Sequence, residues 1–269
     1  MPVAQSIALT GDDLTLADVW AVAVERAPAG LSDAAREKIR AARGLVEDVA
    51  SRSSGEHTYG INTGFGRFVS TSIPPELSEE LQLRLLRSHA CGVGEPYPDE
   101  VVRGAMLLRA NTLAKGYSGA RVETVELLLA CLNAGLVPWV PSRGSVGASG
   151  DLAPLAHLAL PLVGEGRAFL EGELLEGADA LARAGLEPVT LKAKEGLSLI
   201  NGTQFMAAYG ALGLVRARRL AKVADLACAL SVEALQGSRE SFMPQIHQLR
   251  PLRGQIGRAS CRERVCLVV

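Results

Sequence analysis

The run from Thr203 to Gln236 limits what this chain can fold into more than any other segment. Its residues keep helical spacing, Ala and Leu dominate, and apolar side chains occupy much of the circumference. As one helix at 1.5 Å per residue, the run is roughly 50 Å long. A helix apolar on several sides has to be covered on several sides, so the run predicts a rod inside a large bundle or between subunits. It does not predict a membrane span, because "RARRLAKVAD" places charges in its middle.

Shorter segments repeat the helical period. Ser32 can cap "DAAREKIRAARGLVEDVAS", with Ile39, Leu45 and Val46 on one side. Ser78 can cap "EELQLRLLRSHA". Asp99 can cap "EVVRGAMLLRANTLAKG", which Gly116 ends. Ser118 can cap "GARVETVELLLACLNAG", which Gly135 ends. Two short runs around Glu171-Gly172 predict a small β-hairpin near 167–175. The expected fold class is mainly α, a large helical bundle, with one domain over 1–255.

Composition narrows the function classes. Aromatics are only 4%, so the core is built from Leu, Ala and Val. A formal net charge of -1 and no basic stripe argue against nucleic acid and acidic membrane surfaces as partners. Cys91, Cys131, Cys228, Cys261 and Cys266 are odd in number, scattered, and without zinc spacing, which predicts free thiols in a reducing compartment and no metal site. "MPVAQSIALTGDDLTL" lacks the basic start and apolar core of a signal peptide, and a soluble, cytoplasmic protein is expected. After Gln255, "IGRASCRERVCLVV" loses the helical period and holds two of the five cysteines. Residues 256–269 are therefore expected to be a foreign-looking tail, disordered or artefactual, on a truncated chain.

The chemistry concentrates in "GSVGASGDLAPLAH", Gly144 to His157. Taken alone it admits three readings. A Gly-rich turn before a helix can cradle phosphate, but there is no Lys-Ser/Thr and Asp151 sits where the anion would go. It can be a plain turn with Asp151 as N-cap and Pro154 in the first helical turn. Or Ala148-Ser149-Gly150 can cyclise on itself. In that reaction the Gly150 nitrogen attacks the Ala148 carbonyl, water leaves, and Ser149 dehydrates to an exocyclic alkene. Gly lets its nitrogen approach a carbonyl, Ala adds little bulk, and Ser carries the hydroxyl that leaves. The product, a 4-methylidene-imidazol-5-one, is an electrophile that needs no external cofactor.

Three further motifs stand apart. "YGINTGFG" puts Tyr59 on a loop with three glycines, where a Tyr packed under the loop is structural by default. "LLRSHACGVGEP" puts Ser88 and His89 at a helix end, where a His can be a dipole partner or a ligand for a polar ring. "KEGLSLINGTQ" puts Asn201 before Gly202, a turn or cap by default.

Together these motifs resemble the aromatic amino acid lyase family: histidine, phenylalanine and tyrosine ammonia-lyases and related aminomutases. The resemblance runs from about Leu14 to Gln255. It implies the family's large helical-bundle fold and a self-made methylidene-imidazolone from Ala148, Ser149 and Gly150. It implies Tyr59 as a base candidate, and Asn201 beside electrophile and substrate. Histidine-specific members carry Ser-His where this chain has Ser88-His89, and "NGTQ" also resembles that branch. The implied reaction is non-oxidative deamination of L-histidine to trans-urocanate in a homotetramer; tyrosine or phenylalanine lyase is the alternative. Glu233, Arg239 and His247 are expected to be structural or interfacial. The family's second half supplies further substrate contacts, so the chain as written is expected to be inactive by itself.

Overall fold

The computed structural model describes residues 6–51, 58–64, 73–74, 77–146, 150–238 and 240–249, without the side chains of Ser241 and His247. In chain order the elements are β1 (Ile7–Leu9), α1 (Leu16–Ala23), β2 (Ala29–Leu31), α2 (Asp33–Ser51), α3 (Ser78–His89), β3 (Val93–Pro96), α4 (Asp99–Ala114) and α5 (Val122–Asn133). They continue with β4 (Val137–Pro138), β5 (Pro141–Arg143), α6 (Leu152–Ala159), β6 (Arg167–Leu170), β7 (Glu173–Glu176), α7 (Gly177–Arg183), α8 (Glu195–Ile200), α9 (Gln204–Ala234) and α10 (Pro244–Gln248). Helices dominate, as the periodicity predicts. Among the described residues no helix is long and apolar enough to cross a membrane.

The chain forms two compact units, 1–212 and 213–269. In the first, α4 is buried along most of its length, from Val101 to Ala114, and packs against α1, α2 and α5. The core is aliphatic, as the scarcity of aromatics requires. Two ionic devices tie the helix ends. Arg103 on α4 is 3% exposed and donates to the carbonyls of Leu132 and Val22 near the ends of α5 and α1, at 2.9 Å each. Glu195, fully buried at the start of α8, accepts from Arg121, Thr124 and the Lys192 and Arg121 amides. In the second unit, the described residues hold the later part of α9, a short 3-10 turn at Glu240–Phe242, and α10.

Three small sheets complete the architecture. β1 and β2 pair in parallel, β3 and β5 antiparallel, and β4, β6 and β7 form an antiparallel trio. β6 and β7 are the predicted hairpin; Glu171 and Gly172 turn it with φ of 52° and 86°. β4 is an addition that the two residues Val137-Pro138 do not signal.

Several expectations need correction. Ser32 does accept from the Ala35 amide at 3.2 Å. However, Leu45 is 69% exposed, so only Ile39 and Val46 of the predicted stripe face the core. Ser78 and Asp99 lie inside their helices, with Leu77 and Pro98 in the cap positions. Ser118 caps nothing: its carbonyl accepts from the Ser198 hydroxyl, and the helix waits until Val122. The intervening Gly119 has φ of +72°, and a Cβ there would lie 2.3 Å from Val46, so the chain must first pass α2. Gly116 and Gly135 end their helices in left-handed conformation, as expected. Among the described residues, Leu220, Val223 and Leu230 of the long helix α9, expected to lie inside a bundle or between subunits, are 70%, 60% and 53% exposed. The predicted tail, 256–269, lies outside the described residues.

Candidate active site

Helix α3 ends at His89, and its last turn fixes the histidine ring. The Ser88 hydroxyl donates to the Leu85 carbonyl at 2.9 Å. His89 Nδ1 lies 2.9 Å from the same carbonyl and 3.0 Å from Ser88 Oγ. In the tautomer that donates to this carbonyl, Nδ1 carries the ring proton and Nε2 is the acceptor. Ser88 is thus seen orienting His89.

The chain after His89 then runs beside the loop of interest. Val93 in β3 pairs with Arg143 in β5, which leads into "GSVGASG". Gly92 and Gly144 pass so closely that a Cβ on Gly144 would lie 3.0 Å from the Gly92 Cα. The Gly92 amide donates to His157 Nε2 at 3.1 Å. His157 sits in α6, the helix that follows the loop, and its ring meets Trp139 edge-on at 6.2 Å. Burial, with Arg167 nearby, pushes the His157 pKa down, which keeps Nε2 free to accept. The segment entering the loop and the helix leaving it are therefore both fastened to the segment behind His89.

Gly147, Ala148 and Ser149 lie outside the described residues; Gly144 to Val146 and the chain from Gly150 onward lie within them. Gly150 has φ of +134°, and a Cβ would stand 3.0 Å from the Gly202 carbonyl oxygen, so only glycine fits. Asp151 occupies the N-cap position of α6 but caps nothing with its side chain. Instead, fully buried, it accepts from the Ser145 hydroxyl at 2.6 Å and from the Met206 amide at 3.1 Å. Its own amide donates to the Gly202 carbonyl at 2.6 Å. One carboxylate thereby joins both ends of the loop and caps α9 from outside, where the helix N-terminus favours an anion.

Asn201 is the C-cap of α8, exposed, on the turn that ends at α9. The Gly202–Asp151 bond brings this turn against Gly150. Tyr59 is 49% exposed on the turn 58–62, whose Gly60 has φ of +73°. Ile61 anchors that turn against Val46 of α2 and Ala193. Phe65 and Gly66 of the same motif lie outside the described residues. The structure thus joins described parts of three of the four motifs by direct backbone or side-chain contact: Gly92 behind His89, Gly144, Gly150 and Asp151 of the glycine-rich stretch, and Gly202 of the Asn201 turn. Sequence reading missed Ser145, His157 and the outward use of Asp151. The available signal was the placement of an Asp directly after the tripeptide. Among the described residues no group of three or more His, Cys, Asp or Glu is arranged to hold a metal.

Comparison with known proteins places these features in context. A family model described as aromatic amino acid lyase matches residues 14–266. The histidine ammonia-lyase of Gloeobacter violaceus is 59% identical over 249 residues, 93% of this chain and 48% of its own length. That of Anaeromyxobacter dehalogenans is 55% identical over 95% of this chain and 51% of its own length. Among solved structures, histidine ammonia-lyase from Trypanosoma cruzi superposes with a TM-score of 0.90 at 44% identity, covering 96% of this chain and 50% of that one. A tyrosine aminomutase from Streptomyces globisporus gives 0.90 at 38% identity, covering 97% and 49%. The chain spans about half the length of the curated relatives it matches.

Proposed function

The chain belongs to the aromatic amino acid lyase family, and from that premise we propose that it serves a histidine ammonia-lyase, converting L-histidine to trans-urocanate and ammonia. The observation that supports the reading is the convergence of the segment behind His89, the described loop residues Gly144, Gly150 and Asp151, and the Asn201-Gly202 turn on one region. The histidine relatives named above, more similar than the aminomutase, support the same choice of substrate.

The residues present fit a methylidene-imidazolone made from Ala148, Ser149 and Gly150. Gly150 is held at a φ only glycine adopts easily, against a carbonyl that leaves no room for a Cβ. Ser145 and Asp151 draw the two ends of the loop together. Such a group supplies an electrophilic alkene that makes the substrate amine a better leaving group. The chain's own residues do the rest. His89, with its proton on Nδ1, offers Nε2 to an N–H of the substrate imidazole; a phenyl ring has no such donor. Asn201 steadies the substrate beside the loop. Tyr59, on its half-exposed turn, takes the β-proton. We further assign the protein to a cytoplasmic homotetramer, in which the exposed apolar residues of α9 find their cover.

The test uses the complete gene product that carries this chain. Urocanate formation from histidine is expected, with phenylalanine and tyrosine turned over far more slowly. Ser149→Ala is expected to leave a folded protein without activity, because the departing hydroxyl is gone. Tyrosine turnover above that of histidine would overturn the substrate assignment. Near-normal activity in Ser149→Ala would overturn the electrophile.

A further inference from the structure

Arg109 lies on α4, outside all four motifs above. Its side chain is 2% exposed, and among the described residues it pairs with no carboxylate. The guanidinium donates to neutral oxygens instead. Nη1 reaches the Asn201 carbonyl and Gln204 Oε1 at 3.0 Å each, and Nη2 reaches the Ser198 carbonyl. Burial pushes its pKa down to about 10, which leaves it charged near neutrality. A buried cation without a counter-ion is a costly way to fill core volume, and Leu or Met would fill it without that cost. What arginine adds is a planar fork that fixes several acceptors at once.

Those acceptors flank a single turn. Ser198 and Asn201 stand at the end of α8, and Gln204 opens α9. Gln204 Nε2 in turn donates to the Thr112 hydroxyl at 3.1 Å, and that hydroxyl to the Leu108 carbonyl at 2.9 Å. Helix α4 thus holds the turn through Arg109 and Thr112. Gly202 is part of the fit: a Cβ there would lie 2.3 Å from Arg109 Nη1 and 2.1 Å from Gln204 Oε1. On the opposite side, the Gly202 carbonyl receives the Asp151 amide at 2.6 Å and crowds Gly150.

We infer that Arg109 is a positioning residue, setting the Asn201–Gly202 turn so that Gly202 anchors the Asp151 end of the cyclising loop and Asn201 meets the substrate. The inference rests on the lyase reading above. The step that the anchored loop undergoes needs no oxidant. Gly150 N bonds to the Ala148 carbonyl carbon, and the carbonyl oxygen leaves as water with the two amide hydrogens of Gly150 and Ser149. Ser149 then loses its hydroxyl and Cα hydrogen as a second water.

The experiment compares the complete gene product with Arg109→Lys, which keeps the charge but not the fork, and with the near-isosteric Thr112→Val, which loosens Gln204. Folded protein is isolated by size exclusion, weighed intact and assayed with histidine. Wild type is expected to be lighter than its translated sequence by two waters. Arg109→Lys is expected to lower the share of molecules with that deficit and to lower kcat by roughly tenfold or more, with KM within about threefold. Thr112→Val is expected to shift both in the same direction by about threefold. A purely structural role would reduce the yield of folded protein and leave its mass and kcat alone. Folded Arg109→Lys protein with the full deficit and kcat within about twofold of wild type overturns the inference. Wild type lacking the deficit overturns the cyclisation reading itself.

Discussion

Asp151 uses both carboxylate oxygens outside its own helix, and that choice decides how the loop before it is held. Replacing it by Ala removes the acceptor of the Met206 amide and of the Ser145 hydrogen bond across the loop. Asp151→Ala should therefore lose about 2 to 4 kcal/mol in urea unfolding, against about 1 for Ser145→Ala. Glu195 makes a different argument. Burial pushes its carboxyl up, but the hydrogen bonds from Arg121, the Lys192 and Arg121 amides and Thr124 outweigh burial and hold the pKa below the ordinary 4.5. Because the folded value is the lower one, this stabilisation is complete above the ordinary carboxylate range and is lost as pH falls through the folded value. Unfolding midpoints should be level above about pH 5 and drop below it. Glu195→Gln should flatten that acid limb and cost about 3 kcal/mol at neutral pH, since it leaves Arg121 without its anion. In the sequence, Asp151 reads as a helix cap and Glu195 as one acidic residue among many. Only the residues that fold around them show otherwise.

Elements were legible where local chemistry fixes them. The hairpin at 167–176 follows from two apolar-containing runs and a turn whose residues both adopt positive φ. Glu171 bears that conformation at a cost, so Glu171→Asn should stabilise the protein by roughly 0.5 to 1 kcal/mol, seen as a raised melting temperature. Helix ends were legible at Gly116 and Gly135, where the left-handed turn needs glycine. Helix starts at Ser78, Asp99 and Ser118 were not. Many residues with a side-chain oxygen can cap, and tertiary contacts select among them. Ser118 has its carbonyl engaged by Ser198, while Gly119 threads past Val46.

At the scale of the whole molecule, the apolar run of α9 asks for cover, and among the described residues Phe205, Ala208, Leu212 and Ala229 are its buried apolar side chains while Leu220, Val223 and Leu230 stay exposed. In the proposed homotetramer the remaining face is buried between copies. Leu220→Glu, at a 70% exposed position, should leave each chain folded and lower the assembly order by sedimentation. The sequence by itself determined the helical class and the aliphatic core, and it marked the tripeptide proposed to cyclise, because periodicity, composition and the needs of a cyclisation are local properties of residue types. Tertiary structure alone decided that a strand behind His89 pairs with the strand before the loop. It alone decided that Asp151 closes that loop onto α9, and that a buried arginine on α4 carries the Asn201 turn. Those are contacts between residues far apart in the chain, and burial sets them by removing the water that would otherwise satisfy each group.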